Sequence, residues 1–207
     1  MDSKQHWEQI YTTKASDNVS WFQEHAGQSL ELIHNTGLGK GAAIIDVGGG
    51  ASKLVDALNE EGYSDLTVLD LSSAALDVAK QRLGHHAEAI NWLVGDITKT
   101  EHRANRFDIW HDRAVFHFLT DPADRQAYVE QVMRAVRPDG HVIIATFAED
   151  GPEKCSGLPV VRYKPETLHA TFGDNFTLVH HQKEAHNTPF GTVQQFVYCY
   201  CRKIVSS

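Results

Sequence analysis

Three consecutive glycines, Gly48, Gly49 and Gly50, follow the apolar run Ile44–Val47 and precede a helical pattern that starts at Ala51. They therefore occupy a strand-to-helix turn. Glycines at such a turn allow a tight bend and let a ligand approach the backbone, and the helix that follows presents free N–H groups. The turn predicts a nucleotide-like ligand, although several classes of nucleotide-binding enzyme use the same device.

Two aspartates follow the next two predicted strands. Asp70 closes the second strand, twenty residues after Gly50, where a carboxylate can accept hydrogen bonds from both hydroxyls of a ribose. Asp96 follows the third strand, where a carboxylate can accept a hydrogen bond from the adenine amino group while Ile97 packs on the ring. Because parallel strands end at one edge of a sheet, the glycine turn and both aspartates predict a bound adenosine.

The segment from His111 to His117, at the end of the fourth predicted strand, contains the candidates for acid–base chemistry. An unperturbed histidine titrates near pH 6.5, so His111 or His117 could remove a proton from an acceptor. Asp112 could orient a cationic substrate or pair with Arg113. Structural roles stay open for all of them, and no catalytic side chain is obligatory, so we name His111, Asp112 and His117 as candidates only.

Five short apolar runs alternate with amphipathic helical patterns between residues 42 and 147. Each run is continuous rather than alternating in polarity, which is typical of parallel strands buried on both faces. The predicted strands are Ala42–Val47, Leu66–Leu71, Ala89–Val94, Phe107–Asp112 and His141–Phe147. The helix before the last of them has Asp121 as its cap, Pro122 in its first turn and Pro138-Asp139-Gly140 at its end.

The end of the chain follows a different pattern. Phe176–Lys183 and Thr192–Arg202 are strand-like runs with no helical pattern between them, so they should pair antiparallel as a hairpin. The predicted fold class is therefore α/β. It is a Rossmann-like, seven-stranded, mostly parallel sheet with a C-terminal antiparallel hairpin and helices on both faces.

This outline and two local motifs resemble the class I S-adenosylmethionine (SAM)-dependent methyltransferases over nearly the whole chain. Asp46-Val47-Gly48-Gly49-Gly50 is similar to their first motif, although Ser52 stands where many members have another glycine. Arg137-Pro138-Asp139-Gly140, before the fifth strand, is also typical of them. The resemblance implies a methyltransferase whose cofactor is SAM.

A closer likeness is to the lysine methyltransferases that act on elongation factor 1-alpha and to their bacterial relatives. Those proteins have a loop similar to the one from Gly48 to Leu54, and an N-terminal aromatic set that corresponds here to Trp7, Tyr11 and Trp21-Phe22. Trp7 and Tyr11, at positions i and i+4, could equally pack a first helix onto the domain. The predicted cofactor-binding residues, from the glycine turn and from this resemblance, are Trp7, Tyr11, Trp21, Asp46, Gly48, Gly49, Gly50, Asp70, Leu71, Asp96, Ile97 and Arg113.

The 207 residues, 42% of them hydrophobic, suffice for one domain with a sizeable core. We divide the predicted domain, 1–207, into an N-terminal helical lid segment (1–36), a cofactor-binding core (42–147), and a substrate loop with the terminal hairpin (148–207). The glycines and prolines between Glu149 and Pro159 indicate a loop over the same sheet edge, where Cys155 could contact an acceptor or be inert.

The net charge of −8, without a lysine- or arginine-rich block, disfavours a nucleic-acid partner. There is no run of about 18 apolar residues to suggest a membrane partner. The N-terminus lacks the pattern of a secretion signal, so we expect a cytoplasmic protein with reduced cysteines. The cysteine and histidine spacings match no zinc pattern, and no metal site is predicted.

The leading functional hypothesis is a SAM-dependent methyltransferase that acts on a small-molecule acceptor, because the insertions are short and the chain is acidic. A protein-lysine methyltransferase is the near alternative, favoured by the N-terminal likeness. Among other classes, an NAD-dependent oxidoreductase would suit Asp70, and a non-catalytic SAM-binding protein would retain the same site. The identity of the acceptor and the oligomeric state cannot be predicted from these patterns.

Overall fold

Residues 3–13 and 19–205 are described by the structure, which is a computed structural model. The helices within these residues are α1 (Ser3–Thr13), α2 (Gly27–His34), α3 (Leu54–Glu60), α4 (Ser73–Leu83), α5 (Pro122–Ala135) and α6 (Pro165–Phe172). The strands are β1 (Ala43–Val47), β2 (Asp65–Asp70), β3 (Asn91–Val94), β4 (Phe107–Arg113), β5 (Val136–Phe147), β6 (Lys154–Cys155), β7 (Leu158–Pro159), β8 (Phe176–Asn187) and β9 (Val193–Lys203). No helix in these ranges combines the length and the apolar composition needed to cross a bilayer.

The main sheet has seven strands in the order β3-β2-β1-β4-β5-β9-β8. The first five of these pair in parallel, whereas β9 pairs antiparallel with both β5 and β8. The predicted fold class is therefore confirmed, including the C-terminal antiparallel hairpin. The strand order also places the carboxyl ends of β1, β2, β3 and β4 beside one another at one edge of the sheet.

The core lies on both faces of this sheet because successive strand residues point to opposite sides. On β1, Ile45 packs into one hydrophobic cluster with Trp110 and Val132, while Ile44 packs into a second cluster with Leu58. Burial on both faces is the reason that these strands have continuous apolar runs instead of alternating ones.

The predicted end of α5 was wrong. The helix begins as expected, because the Asp121 carboxylate accepts a hydrogen bond from the N–H of Ala123 at 2.8 Å. It ends at Ala135 rather than at Pro138-Asp139-Gly140, because Val136 already pairs with β4 and starts β5. The four residues after Val136 form an irregularity in the ladder, where a proline without an N–H is tolerated.

Candidate functional site

A cleft of about 450 Å³ lies at the edge where the first four strands end. Nine of the residues predicted to bind the cofactor line it: Trp7, Tyr11, Trp21, Gly48, Asp70, Leu71, Asp96, Ile97 and Arg113. A smaller pocket of about 50 Å³ adjoins it and is lined by Asp46 and Gly49 as well as by residues of the main cleft. Gly50 lines neither space, and instead its N–H donates a hydrogen bond to the Asp70 carboxylate at 3.1 Å.

The glycine turn leaves no room for side chains. Gly48 has a φ of +69°, and a Cβ atom placed on it would collide with the Val115 side chain. A Cβ on Gly49 would collide with the Asp46 carboxylate, and one on Gly50 would collide with that of Asp70. The close approach of the surrounding groups therefore requires glycine at all three positions. Of the three, Gly48 and Gly49 line the two spaces and present their backbone atoms to a ligand.

Asp70 is a buried carboxylate at the border of the cleft, with 7% of its surface exposed. One of its oxygens accepts a hydrogen bond from the N–H of Gly50 and the other accepts one from the N–H of Ser72, at 3.1 and 2.8 Å. Burial raises the pKa of Asp70 to about 6, and the negative charge of Asp46 contributes to the increase. Each oxygen keeps a second lone pair that can accept a hydrogen bond from a ligand hydroxyl.

Asp96 reaches the cleft but also organises its own turn. Its Oδ1 atom accepts hydrogen bonds from the N–H and the hydroxyl of Thr98, and its Oδ2 atom pairs with Lys99 at 2.9 Å. Partial burial raises the pKa of this carboxyl group, but the hydrogen bonds from Lys99 and Thr98 lower it more. Asp96 is therefore an ionised acceptor beside Ile97, as the adenine hypothesis requires.

Aromatic residues from the N-terminal segment cover the cleft. Trp7 and Tyr11 both lie on α1, as expected for a first helix that packs on the domain. The Trp7 ring packs edge-on against Trp21 and Phe118, at centroid distances of 5.4 and 5.0 Å. Both proposed roles for the two α1 residues, packing and lining the cleft, are therefore compatible.

Arg113 connects the end of β4 to the terminal hairpin and to the N-terminal segment. Its guanidinium donates to the Tyr198 hydroxyl and to the carbonyl oxygen of Trp21, both at 3.1 Å, and forms an ion pair with Glu184 at 3.3 Å. Its central carbon lies 4.2 Å from the centroid of the Phe196 ring. These contacts fix the guanidinium at the junction of the main cleft and the smaller pocket.

His111 lies behind the glycine turn, where it borders the smaller pocket and not the main cleft. One ring nitrogen is 2.7 Å from the Asp46 carboxylate and the other is 2.9 Å from the Ser29 hydroxyl. Both nitrogens are thus engaged by protein groups, and the ring fixes the orientation of Asp46.

Asp112 and His117, the other two acid–base candidates, are both fully buried and do not line the cleft. Asp112 accepts hydrogen bonds from the Tyr128 hydroxyl at 2.7 Å and from the N–H of Val115 at 2.9 Å, and so holds the turn after β4. His117 accepts the N–H of Phe147 at 3.2 Å, and burial lowers its pKa to about 3.

Several residues of the cleft were not named as site residues from the sequence. Val115, Phe118 and Leu119 follow β4, and Leu158 and Pro159 form β7. The loop from Glu149 to Pro159 does lie over the predicted edge, and Cys155 also lines the cleft. The glycine and proline content of that loop is the sequence signal for Leu158 and Pro159. Val115, Phe118 and Leu119 have no such signal, because apolar side chains after a strand resemble core residues.

The remaining cysteines lie away from the cleft, in the sheet. The Sγ atoms of Cys199 and Cys201 are 3.2 Å apart on one face of β9, and both residues are buried. In the described ranges, no group of three His, Cys, Asp or Glu side chains is placed to hold a metal ion.

A family model described as a methyltransferase domain matches residues 45–144. This segment runs from β1 to β5, so it contains the glycine turn, both aspartates and the end of β4.

Two curated proteins show what the chain is similar to. It is 28% identical over 160 residues to EEF1A lysine methyltransferase 2 of Danio rerio, a match that covers 70% of this chain and 69% of the relative. It is 30% identical over 108 residues to the ubiquinone biosynthesis O-methyltransferase of Coxiella burnetii, a match that covers 52% of this chain and 44% of that relative. The second match thus spans less than half of the relative's length.

A solved structure shares the fold. It is the 1,6-didemethyltoxoflavin-N1-methyltransferase of Burkholderia thailandensis, with 1,6-didemethyltoxoflavin and S-adenosylhomocysteine bound. The TM-score is 0.68 at 21% sequence identity, and the alignment covers 98% of this chain and 84% of the other.

Proposed function

Because this chain is a class I SAM-dependent methyltransferase, we propose that it transfers the methyl group to a small-molecule acceptor bound in the main cleft. The observation that carries the proposal is the apolar wall beside the predicted cofactor residues, formed by Phe118, Leu158 and Pro159. Concave sites with mostly apolar linings and a few polar groups are typical of small-molecule binding. The O-methyltransferase relative and the toxoflavin N1-methyltransferase fold neighbour are consistent with such an acceptor.

The residues beside the glycine turn fit SAM. The Oδ2 atom of Asp46 is buried and has no hydrogen-bond partner among the described residues. It borders the smaller pocket, into which Arg113 also reaches. A carboxylate and a guanidinium on the lining of one pocket suit the ammonium and carboxylate groups of an amino acid, so we assign this pocket to the methionine end of SAM.

The other end of SAM is assigned to the tips of β2 and β3. Asp70 would accept hydrogen bonds from the ribose hydroxyls, and Asp96 would accept one from the adenine amino group while Ile97 packs on the ring. The faces of Trp7, Tyr11 and Trp21 would stabilise the positive sulfonium, because aromatic rings attract cations.

SAM supplies a sulfonium methyl group that is transferred by in-line displacement, so the chemistry resides mainly in the cofactor. The protein's contribution is to align the acceptor with the methyl group and to exclude water. We assign no general base, because Asp112 and His117 lie outside the cleft and His111 is engaged by Asp46 and Ser29. None of these three residues is therefore given a role in removing a proton from the acceptor.

Lowering the pH below 6 is expected to weaken SAM binding. Only the ionised Asp70 carboxylate can accept hydrogen bonds from both ribose hydroxyls, and its pKa is raised to about 6 by burial and by Asp46. The ionised fraction is nearly complete above that pKa and falls about tenfold for each pH unit below it, so the SAM dissociation constant should be roughly ten times higher at about pH 5 than at about pH 7.5. Calorimetry across this range measures the effect, and a flat profile would contradict it.

A protein-lysine acceptor remains the second candidate. The match to the zebrafish lysine methyltransferase covers more of this chain than the O-methyltransferase match does, 70% against 52%. The alternative of an NAD-dependent oxidoreductase is not supported, because the family model that matches describes a methyltransferase domain.

Labelled SAM distinguishes the two acceptor classes. The protein is incubated with methyl-labelled SAM and a cell extract separated into small-molecule and macromolecular fractions. Label in a small molecule that is chromatographically separate from SAM and from its breakdown products supports the proposal, whereas label only in macromolecules, recovered as methyl-lysine after hydrolysis, contradicts it. An Asp70→Asn variant in parallel controls for labelling by other enzymes of the extract.

A further inference from the structure

Glu8 joins α1 to the start of α4 beside the cleft. Its carboxylate accepts hydrogen bonds from the hydroxyls of Ser72 and Ser73, at 2.6 and 2.7 Å, and from the N–H of Ala74 at 3.3 Å. Both carboxylate oxygens are therefore engaged by one turn of the chain, although all three partners are more than sixty residues from Glu8.

The start of α4 is a favourable partner for a carboxylate. The N-terminus of a helix has free N–H groups and a partial positive charge. Ser72 caps this helix by accepting the N–H of Ala75 at 3.2 Å while its hydroxyl donates to Glu8. The hydrogen bonds from Ser72 and Ser73 lower the pKa of Glu8, so that it is ionised at neutral pH.

Ser72 also connects Glu8 to Asp70. Its backbone N–H donates to the Asp70 carboxylate at 2.8 Å, while its hydroxyl donates to Glu8. The backbone N–H of Ser72 thus holds Asp70, the carboxylate assigned to the ribose, and the hydroxyl of Ser72 holds α1 through Glu8. Displacement of α1 would remove a contact that supports the turn after β2.

Glu8 lies between the two residues of α1 that line the cleft, Trp7 and Tyr11. The contact of Trp7 with Trp21 and Phe118 holds the helix through one side chain. A helix of 11 residues has little stability of its own, so its position depends on such contacts with the domain. Glu8 provides a second, charged contact, with the start of α4.

We propose that Glu8 is a positioning residue for the cofactor site. It fastens α1 to the turn after β2, and thereby holds Trp7 and Tyr11 over bound SAM and supports Asp70 through Ser72. The role rests on the proposed assignment of the cleft to SAM. Neutralising Glu8 weakens the hold of α1 and accelerates the departure of the cofactor.

The test compares Glu8→Gln with Gln9→Ala, a matched control because Gln9 is exposed on the same helix. Calorimetry gives the dissociation constants of SAM and S-adenosylhomocysteine, and stopped-flow tryptophan fluorescence gives the dissociation rate of the latter. We expect Glu8→Gln to raise the dissociation constants roughly tenfold, mainly through a faster dissociation rate. The melting temperature should change little, and Gln9→Ala should resemble the wild type in every measurement.

A second variant, Ser73→Ala, tests the same contact without replacing Glu8, so the proposal can be tested even if Glu8→Gln does not fold. Ser73→Ala removes one of the hydrogen bonds to Glu8 but keeps the Ser72 cap, so it should raise the dissociation constants by a smaller factor. In the Glu8→Gln background it should add little, because the two side chains act as one contact. Wild-type dissociation rates in Glu8→Gln, or fully additive effects in the double variant, overturn the proposal. A wild-type protein that binds no SAM would instead contradict the assignment of the cleft.

Discussion

Replacing Asp70 with asparagine is expected to raise the dissociation constant of SAM by about ten- to a hundredfold while the protein stays folded. Asparagine has nearly the same shape, but it lacks the charge and one of the two acceptor oxygens. Its remaining oxygen can satisfy only one of the N–H groups of Gly50 and Ser72, so fewer lone pairs are left for the ribose. Calorimetry with SAM measures the loss, and thermal unfolding reports the state of the fold.

Asp77→Asn provides the control for the change in charge. Asp77 lies on the exposed surface of α4 and pairs with Lys80 at 3.2 Å, so its replacement removes an equal charge outside the cleft. It should bind SAM as the wild type does. If Asp70→Asn also retained wild-type affinity, the ribose would have to be held by other residues.

Gly48→Ala is expected to weaken SAM binding roughly tenfold or more and to lower the melting temperature. Two costs combine at this position. Left-handed backbone at φ +69° costs a residue with a Cβ about 1–2 kcal/mol. The added methyl group also collides with the Val115 side chain, so either the turn or Val115 must move, and both line the cleft.

Gly62→Ala separates these two costs. Gly62 has a similar backbone conformation, with φ +87°, but a Cβ atom there would meet no atom within 4 Å. This variant should therefore lose about 1 kcal/mol of stability and keep the affinity of the wild type for SAM. If the Gly48→Ala and Gly62→Ala variants bound SAM with equal affinity, SAM binding would not depend on the close packing of the glycine turn against Val115.

The placement of the glycine turn, Asp70 and Asp96 could be predicted because it follows from local rules. Each of them lies at the end of an apolar run or within two residues of it, and a parallel sheet puts all such ends at one edge. The likeness of the N-terminal aromatics to those of known methyltransferases added Trp7 and Tyr11. The ligand contacts of these residues stay predictions, and the proposed variants test them.

The surroundings of the acid–base candidates could not be predicted. His111 is held by Ser29, which is 82 positions away in the chain, and Asp112 is held by Tyr128 from α5. A histidine or an aspartate at the end of a strand has the same local pattern whether it faces a ligand or a neighbouring helix. Only the packing of helices against the sheet distinguishes the two.

The sequence by itself therefore determined the class of fold, the order of strands and helices, and the edge of the sheet that carries the glycine turn. These depend on the hydrophobic period and on turn chemistry, which act over a few residues. The tertiary structure decided which groups face the cleft, and it joined Glu8 to Ser72 and Arg113 to Glu184. Such contacts link segments that are distant along the chain, so no local pattern encodes them, and they form only when the whole sheet is assembled.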